Sequence, residues 1–329
     1  MKLSVVIPAR NAAEHLDHLL GALLPQLLPG DECLLVDDAS DDGSGKIAER
    51  LGILVLTRET RGGPAAARNL GAQRSSGDIL LFLDADVVPH RDLLQGMRRH
   101  LAEAPSLSAV IGSYDADPFE RATVSRFRNL LHCFTHHHGS QDASTFWAGC
   151  GAIRRADFDS IGGFDAERFP EPSIEDIELG VRLKRSGRKI RLDPGLQVQH
   201  RKAWTLRNML RTDLRQRAIP WTHLILQAGK MPLDLNLKAS QRFSGMAVAL
   251  AVVALFLVPW APLYAGLSAG ILLAIVTFMN AKLYRFLAGC GGWWFSLRSI
   301  PLHWLYFLCS VLGYALACGQ FYLGGERNR

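Results

Sequence analysis

From Phe243 to Ala281 the chain carries no charged side chain, and from Ser299 to Gly325 it carries none again, with His303 its only histidine. A helix that crosses a bilayer needs about 20 apolar residues, because hydrocarbon offers backbone amides no partner outside the helix. The first stretch has room for two spans with Pro259-Trp260-Ala261-Pro262 as the turn, and the second has room for one. Three transmembrane helices are therefore expected, at about 243–259, 263–281 and 301–323. An apolar bundle in a soluble protein is the weaker reading, since buried soluble helices seldom run so long without charge. Lys282, Arg285 and Arg298 flank the link between the second and third spans, whereas the link between the first and second has no charge. The positive-inside tendency then puts residues 1–242 in the cytoplasm. Arg327 and Arg329, at the far end, point the other way.

Charge is segregated along the rest of the chain. The 329 residues carry 37 Lys and Arg against 31 Asp and Glu, a net +6 that by itself suggests nucleic acid. Residues 1–199, however, hold 23 basic and 28 acidic groups (−5), residues 200–230 hold 7 and 1 (+6), and residues 231–329 hold 7 and 2 (+5). An acidic N-terminal domain is a poor nucleic-acid clamp, so no nucleic-acid partner is expected. The basic excess sits beside the apolar stretches. Within it Arg207, Arg211 and Arg215 recur every four residues and line one helix face, while Leu206, Met209, Leu210 and Leu214 occupy another. Residues 201–242 thus read as a basic amphipathic segment on an anionic cytoplasmic leaflet, each basic residue contributing about 1 kcal/mol. The six cysteines (33, 133, 150, 290, 309, 318) lack framework or C-x-x-C spacing and read as reduced thiols. The apolar run at the N-terminus is broken by Pro8 and Arg10, too early for a signal peptide, and reads as a first strand.

Residues 1–113 alternate strand and helix signals, which predicts an α/β fold with a doubly wound, mostly parallel sheet, followed by the C-terminal transmembrane helices. Strands are expected at Leu3–Ile7, Cys33–Val36, Ile53–Leu56, Ile79–Leu83 and Ala109–Ile111, with helices at 12–24, 44–51, 64–75 and 90–103. Ligands of such sheets collect at the carboxyl ends of the strands. There stand Pro8-Ala9-Arg10-Asn11, Asp37-Asp38-Ala39-Ser40, Arg58 to Gly63, and Asp84-Ala85-Asp86. Residues 114–200 are less regular and contain Phe146-Trp147-Ala148-Gly149-Cys150-Gly151 and a helix opening at Ser173-Ile174-Glu175-Asp176. The domains expected are a cytoplasmic catalytic domain at 1–200, the basic segment at 201–242 and the spans in 243–329.

Asp84 and Asp86 on one tight turn repel each other unless a cation lies between them, and oxygen-only ligation with few protein ligands suits Mg²⁺ or Mn²⁺ bridging to a substrate diphosphate. Asp176 has two readings. Ser173 and Asp176 have the spacing of a capping box, in which Asp176 would be structural; alternatively Asp176 points into the site as a general base. Tyr114-Asp115-Ala116-Asp117 reads as a loop, and His136-His137-His138 as a solvated helix face rather than a metal site.

Together these residues resemble a family-2 glycosyltransferase, an inverting nucleotide-sugar transferase with a nucleotide-diphospho-sugar transferase fold. The resemblance covers about residues 1–220 and rests on Ser4 to Asn11, Val36 to Ser40, Gly63 to Gly71, Leu83 to Asp86, Gly149-Cys150-Gly151 and Glu175-Asp176, in that order. It implies that Pro8 and Arg10 border the nucleotide base and Asp38 bonds it. It implies further that Arg68 lies near the nucleotide or its phosphates, that Asp86 holds the metal with Asp84 beside it, and that Asp176 is the base. Where the family often has an aromatic residue, this chain has Arg10, whose guanidinium plane also stacks on a base. Acceptor contacts are expected from Trp147, Gly149, Gly151 and Glu175. Processive members carry Q-x-x-R-W; here Gln216, Arg217 and Trp221 stand in a different arrangement, which favours a single transfer and adds these three to the acceptor side. The implied reaction moves a sugar from a nucleotide-diphospho-sugar to a hydroxyl of a membrane-associated or lipid-linked acceptor by metal-assisted in-line displacement. A polyprenyl-phosphate acceptor is the alternative, and a non-catalytic nucleotide-sugar-binding membrane protein the alternative of another class.

Overall fold

Short runs of Val, Leu and Ile that close on Asp, Arg or Pro suit strands buried on both faces. In the computed structural model, which describes residues 1–228 and 238–323, they form the centre of one eight-stranded sheet. β1 (Leu3–Ala9), β2 (Glu32–Asp38), β3 (Leu54–Arg58) and β4 (Ile79–Leu83) are joined through α1 (Ala13–Leu23), α2 (Ser44–Arg50) and α3 (Gly63–Gln73), and pair in parallel. Next come β5 (Val87–Pro89), α4 (Leu93–Glu103), β6 (Leu107–Tyr114), α5 (Thr123–His137), β7 (Cys150–Arg154), α6 (Arg155–Ser160), α7 (Glu175–Arg185) and β8 (Lys189–His200). The strand order is β3-β2-β1-β4-β7-β6-β8-β5. β7 runs antiparallel to both β4 and β6, and β5 antiparallel to β8, so the sheet is mostly parallel with antiparallel insertions.

The five expected strands and four expected helices stand where periodicity put them, within a few residues. The segment read as irregular, 114–200, supplies two further strands. β7 was hidden because its Cys-Gly-Ala-Ile-Arg is short and glycine-bearing. β8 was hidden because Asp193-Pro194-Gly195 reads as a turn; the strand takes it up as an irregularity in its pairing with β6.

The chain divides into two compact units: Met1–Phe119 with His136–Lys202, and Glu120–Thr135 with the described part of 203–329. The first is cored between helices and sheet by Phe82, whose ring meets those of Phe146, Phe158 and Phe164 at 5.2–6.4 Å. α3 lies close on β1 and β2 because a Cβ on Gly71 would stand 2.3 Å from Val6 Cγ1.

The second unit contains most of α5, then α8 (Leu206–Arg211), a π-helical turn (Thr212–Ala218), α9 (Ile219–Ala228), α10 (Ala239–Phe256), α11 (Pro262–Met279) and α12 (Ala281–Leu323). Among the described residues α10, α11 and α12 are long and apolar enough to cross a membrane. The third is longer than the expected 301–323: the link carrying Lys282, Arg285 and Arg298 is itself helical, broken at Gly292 (φ 80°, ψ 165°). Met209 is buried and Leu210 and Leu214 are half-buried, while Arg207, Arg211 and Arg215 are exposed; Leu206, expected on the apolar face, is exposed as well. Phe127, Leu130 and Leu131 of α5 form one cluster with Met209, Leu283 and Leu287. Beside it Arg128 and Asp213, both buried, pair at 2.6 Å. Residues 229–237 of the basic segment, and Arg327 and Arg329, lie outside the described residues.

Candidate active site

The carboxyl ends of β1 to β4 carry loops tied down by their own polar side chains. After β1, the Asn11 amide donates to Ser40 Oγ, and the Asp41 amide donates to Asn11 Oδ1, both at 3.0 Å. Asp42 accepts from the amides of Ala13 and Ser44 at 2.8 and 3.0 Å. Pro8 is half-buried at the end of β1 and Arg10 is exposed just beyond it. Asp38 ends β2 at 4% exposure. Its two oxygens accept from the amides of Gly62 and Gly63 at 2.8 Å each, and Arg58 Nε lies 3.0 Å from Oδ1. Gly63 has φ +79°, and a Cβ there would stand 2.3 Å from the Pro170 carbonyl oxygen, so the turn into α3 admits only glycine. Asp38, expected to bond a nucleotide base, is thus also engaged in shaping this turn.

α3 then carries Arg68 beneath the rim. Its Nη1 donates to Glu175 Oε1 at 2.9 Å and its Nη2 to Asp84 Oδ1 at 2.7 Å. One cation therefore joins the end of β4 to the start of α7. Arg68, expected near the nucleotide or its phosphates, is buried at 4% exposure. Burial acts against its charge, and Asp84, Glu175 and Asp176 together reverse that and raise its pKa.

The capping question is settled by the same contacts. α7 starts at Glu175 with Ile174 as N-cap and no side-chain cap, and the Ser173 amide donates to Glu175 Oε2 at 2.9 Å. Asp176 accepts from the amides of Ala148 (3.1 Å) and Ile177 (2.8 Å). Burial and then the adjacent Glu175 push its pKa up to about 6, against the pull of Arg68 and the two amides. A carboxylate so placed is ionised at neutral pH and still basic enough to take a proton.

Asp84 and Asp86 follow β4, with side chains 34% and 24% exposed, which leaves both reachable. Asp84 is raised by burial and by Asp86, with Arg68 opposing. At Asp86 burial is outweighed by His200 and Lys202, which hold its carboxyl well below the usual carboxylate range. His200 Nε2 stands 3.5 Å from Asp86 Oδ2, and its ring stacks on Tyr114 at 4.3 Å. Tyr114 and His136 each meet Trp147 edge to face, at 4.9 and 5.0 Å. Among the described residues no three His, Cys, Asp or Glu side chains converge on one point. The donor set is thus two carboxylates, which fits Mg²⁺ or Mn²⁺ completed by substrate phosphate oxygens rather than an all-protein cage.

Of the other expected residues, Trp147 is half-buried, whereas Gly149 and Gly151 are buried. Gly151 pairs with Phe82 and Ile111 inside the sheet, and the Gly149 carbonyl accepts from the Asp84 amide at 3.3 Å. Both glycines are therefore framework rather than acceptor surface. Gln216, Arg217 and Trp221 belong to the second unit, where Gln216 Oε1 accepts from Thr212 Oγ1 at 2.9 Å. Asp115 is held by His90 at 2.9 Å in the loop after β6; of the three histidines expected on a solvated face, His137 and His138 are exposed, whereas His136 is buried with Nδ1 3.1 Å from the Gly112 carbonyl oxygen. Sequence reasoning missed His200. Its place at the end of β8 becomes visible only once that strand is known.

Residues 4–162 match the family model described as Glycosyl transferase family 2. Among curated proteins, the chain is 39% identical over 100 residues to Glycosyltransferase AglE of Haloferax volcanii, covering 28% of this chain and 33% of that protein. It is 29% identical over 224 residues to Pre-mycofactocin glycosyltransferase of Mycobacterium tuberculosis, covering 63% and 44%. The matches span about a third to a half of the length of these relatives. Among solved structures, a mannosyltransferase from Pyrobaculum calidifontis in complex with GDP-Man and Mn²⁺ shares the fold, with TM-score 0.61, 19% identity, and coverage of 95% of this chain and 87% of that one.

Proposed function

From the match of residues 4–162 to the glycosyl transferase family 2 model we propose that the protein moves a sugar from a nucleotide-diphospho-sugar to a hydroxyl of a membrane-associated or lipid-linked acceptor, inverting the anomeric carbon. The observation that carries this reading is the pair of hydrogen bonds that Arg68 donates, one to Asp84 and one to Glu175. It ties the carboxylate pair suited to a leaving diphosphate to the helix end that bears a carboxylate suited to act as base.

Asp176 takes the proton of the acceptor hydroxyl as that oxygen attacks the anomeric carbon, and the bond to the diphosphate breaks with its electron pair leaving on the nucleoside diphosphate. Asp84 and Asp86 would hold Mg²⁺ or Mn²⁺. The ion, when bound, offsets the charge gathering on the departing diphosphate. Pro8 and Arg10 border the base, and Trp147 faces the acceptor side. A polyprenyl phosphate is largely ionised at neutral pH and needs little from a base; a carboxylate lifted to about 6 is better matched to a hydroxyl. The three apolar helices anchor the protein, with the basic segment on an anionic leaflet and the catalytic unit in the cytoplasm, where the loop charges favour it.

The test is a donor screen on membranes containing the full chain, reading released nucleoside diphosphate with Mn²⁺ and with chelator. Asp176→Asn and Asp86→Ala should each abolish transfer with an unimpaired thermal midpoint. Wild-type turnover in either removes that residue from the mechanism.

A further inference from the structure

Arg68 is more enclosed than a donor-binding arginine needs to be. Ala65, Ala67 and Ala72 of α3 are buried with it, and its guanidinium lies 5.5 Å from the centroid of Phe164. Both terminal nitrogens are committed to carboxylates, and the buried Nε finds no hydrogen-bond partner. A diphosphate drawing on this group would have to strip Glu175, itself 5% exposed, of its counter-charge.

We infer that Arg68 is a positioning residue that does not touch the donor: by bonding Asp84 and Glu175 at once, it sets the spacing between the strand-end carboxylates and Asp176. This rests on the reading of Asp176 as the base. Asp176 is faced by Glu175 from its own helix, by Arg68 from α3 and by the Ala148 amide from the loop before β7, with Asp84 beyond the same guanidinium. Glu175 disfavours the ionised form of Asp176 and Arg68 favours it. The two groups therefore act on the base with opposite sign, although they are bonded to each other.

The experiment uses the full chain in detergent, with UDP and GDP in the absence of metal as binding probes, so that a shift of Asp84 does not enter the Kd, and nucleoside-diphosphate release from the active donor with Mn²⁺ as the rate. Arg68→Lys keeps the charge but supplies one point where a fork is needed. It should leave the nucleotide Kd unchanged and lower kcat about 100-fold, the scale of loss for a misplacement of about 1 Å. Arg68→Gln should also keep the Kd and move the acidic limb of the pH profile upward, whereas Glu175→Gln should move it downward. If Arg68→Gln does not fold, the lysine variant and Glu175→Gln carry the test. A Kd that rises in Arg68→Lys, whether or not kcat falls, would mean donor contact and overturn the proposal. Unchanged Kd and kcat, or limbs that shift the same way, would overturn it too. Asp176→Asn is measured alongside: wild-type turnover there removes the base reading, and the positioning role is then judged on the Kd and kcat split alone.

Discussion

A carboxylate lifted to about 6 exposes itself in stability as well as in rate. Asp176 must be ionised to act, so kcat/KM should rise with pH through about 6 and level off above it. In stability the sign is opposite. The folded pKa lies above the unfolded value of about 3.9, so the folded chain holds this proton more tightly. That contribution is whole below pH 4 and lost as pH climbs through the folded value. Asp176→Asn, neutral throughout, should therefore raise the thermal midpoint at pH 7.5 by the equivalent of up to about 3 kcal/mol, and the gain should vanish at pH 4. An unchanged midpoint at pH 7.5 would leave Asp176 an ordinary carboxylate.

At the scale of elements, the entry into α3 depends on backbone that Asp38 gathers. Gly63→Ala puts a Cβ at positive φ against the Pro170 carbonyl. It should cost about 1–3 kcal/mol, read as a drop in thermal midpoint, with weaker donor binding. In the second unit, the buried Arg128–Asp213 pair joins α5 to the π-helical turn. Arg128→Met or Asp213→Leu alone should cost about 3–5 kcal/mol by leaving one charge uncompensated, and the double variant should recover most of it. Denaturant or thermal unfolding of the purified chain in detergent measures both. Equal losses in the double and single variants would argue against a mutual pair.

For the whole molecule, the division into units does not follow the division along the sequence. Glu120–Thr135, read as part of a catalytic domain ending near residue 200, belongs with the apolar helices, and Phe127, Leu130 and Leu131 find their partners there. A chain ended at Lys202 should therefore aggregate, because α5 loses the surface that covers it. Replacing 120–135 in that shortened chain with a polar linker should restore a monodisperse protein by size-exclusion chromatography. A monodisperse chain without the replacement would contradict this. The intact protein should stay in the membrane fraction through an alkaline wash.

The sequence alone determined what local pattern can carry. Period and length marked β1 to β4, β6 and their helices, the absence of charge marked α10 and α11 and the apolar length of α12, and strand-end chemistry marked Asp84 and Asp86 as candidates, while spacing left Asp176 with two readings. Tertiary structure decided the rest, because it depends on partners far apart in the chain. Arg68 and Glu175 are separated by 107 positions, and no spacing rule joins them. Whether Asp176 forms a capping box with Ser173 turned on Glu175 being taken by Arg68 and on the Ala148 amide reaching Asp176 from another loop. β8, with Pro194 and Gly195 inside it, is a strand only because β6 and β5 supply hydrogen-bonding edges on either side. Asp38 is a turn organiser only because two glycine amides converge on it. A residue's chemistry can be read from its type and neighbours in sequence; its burial and its counter-charge, which fix its role, are properties of the folded chain.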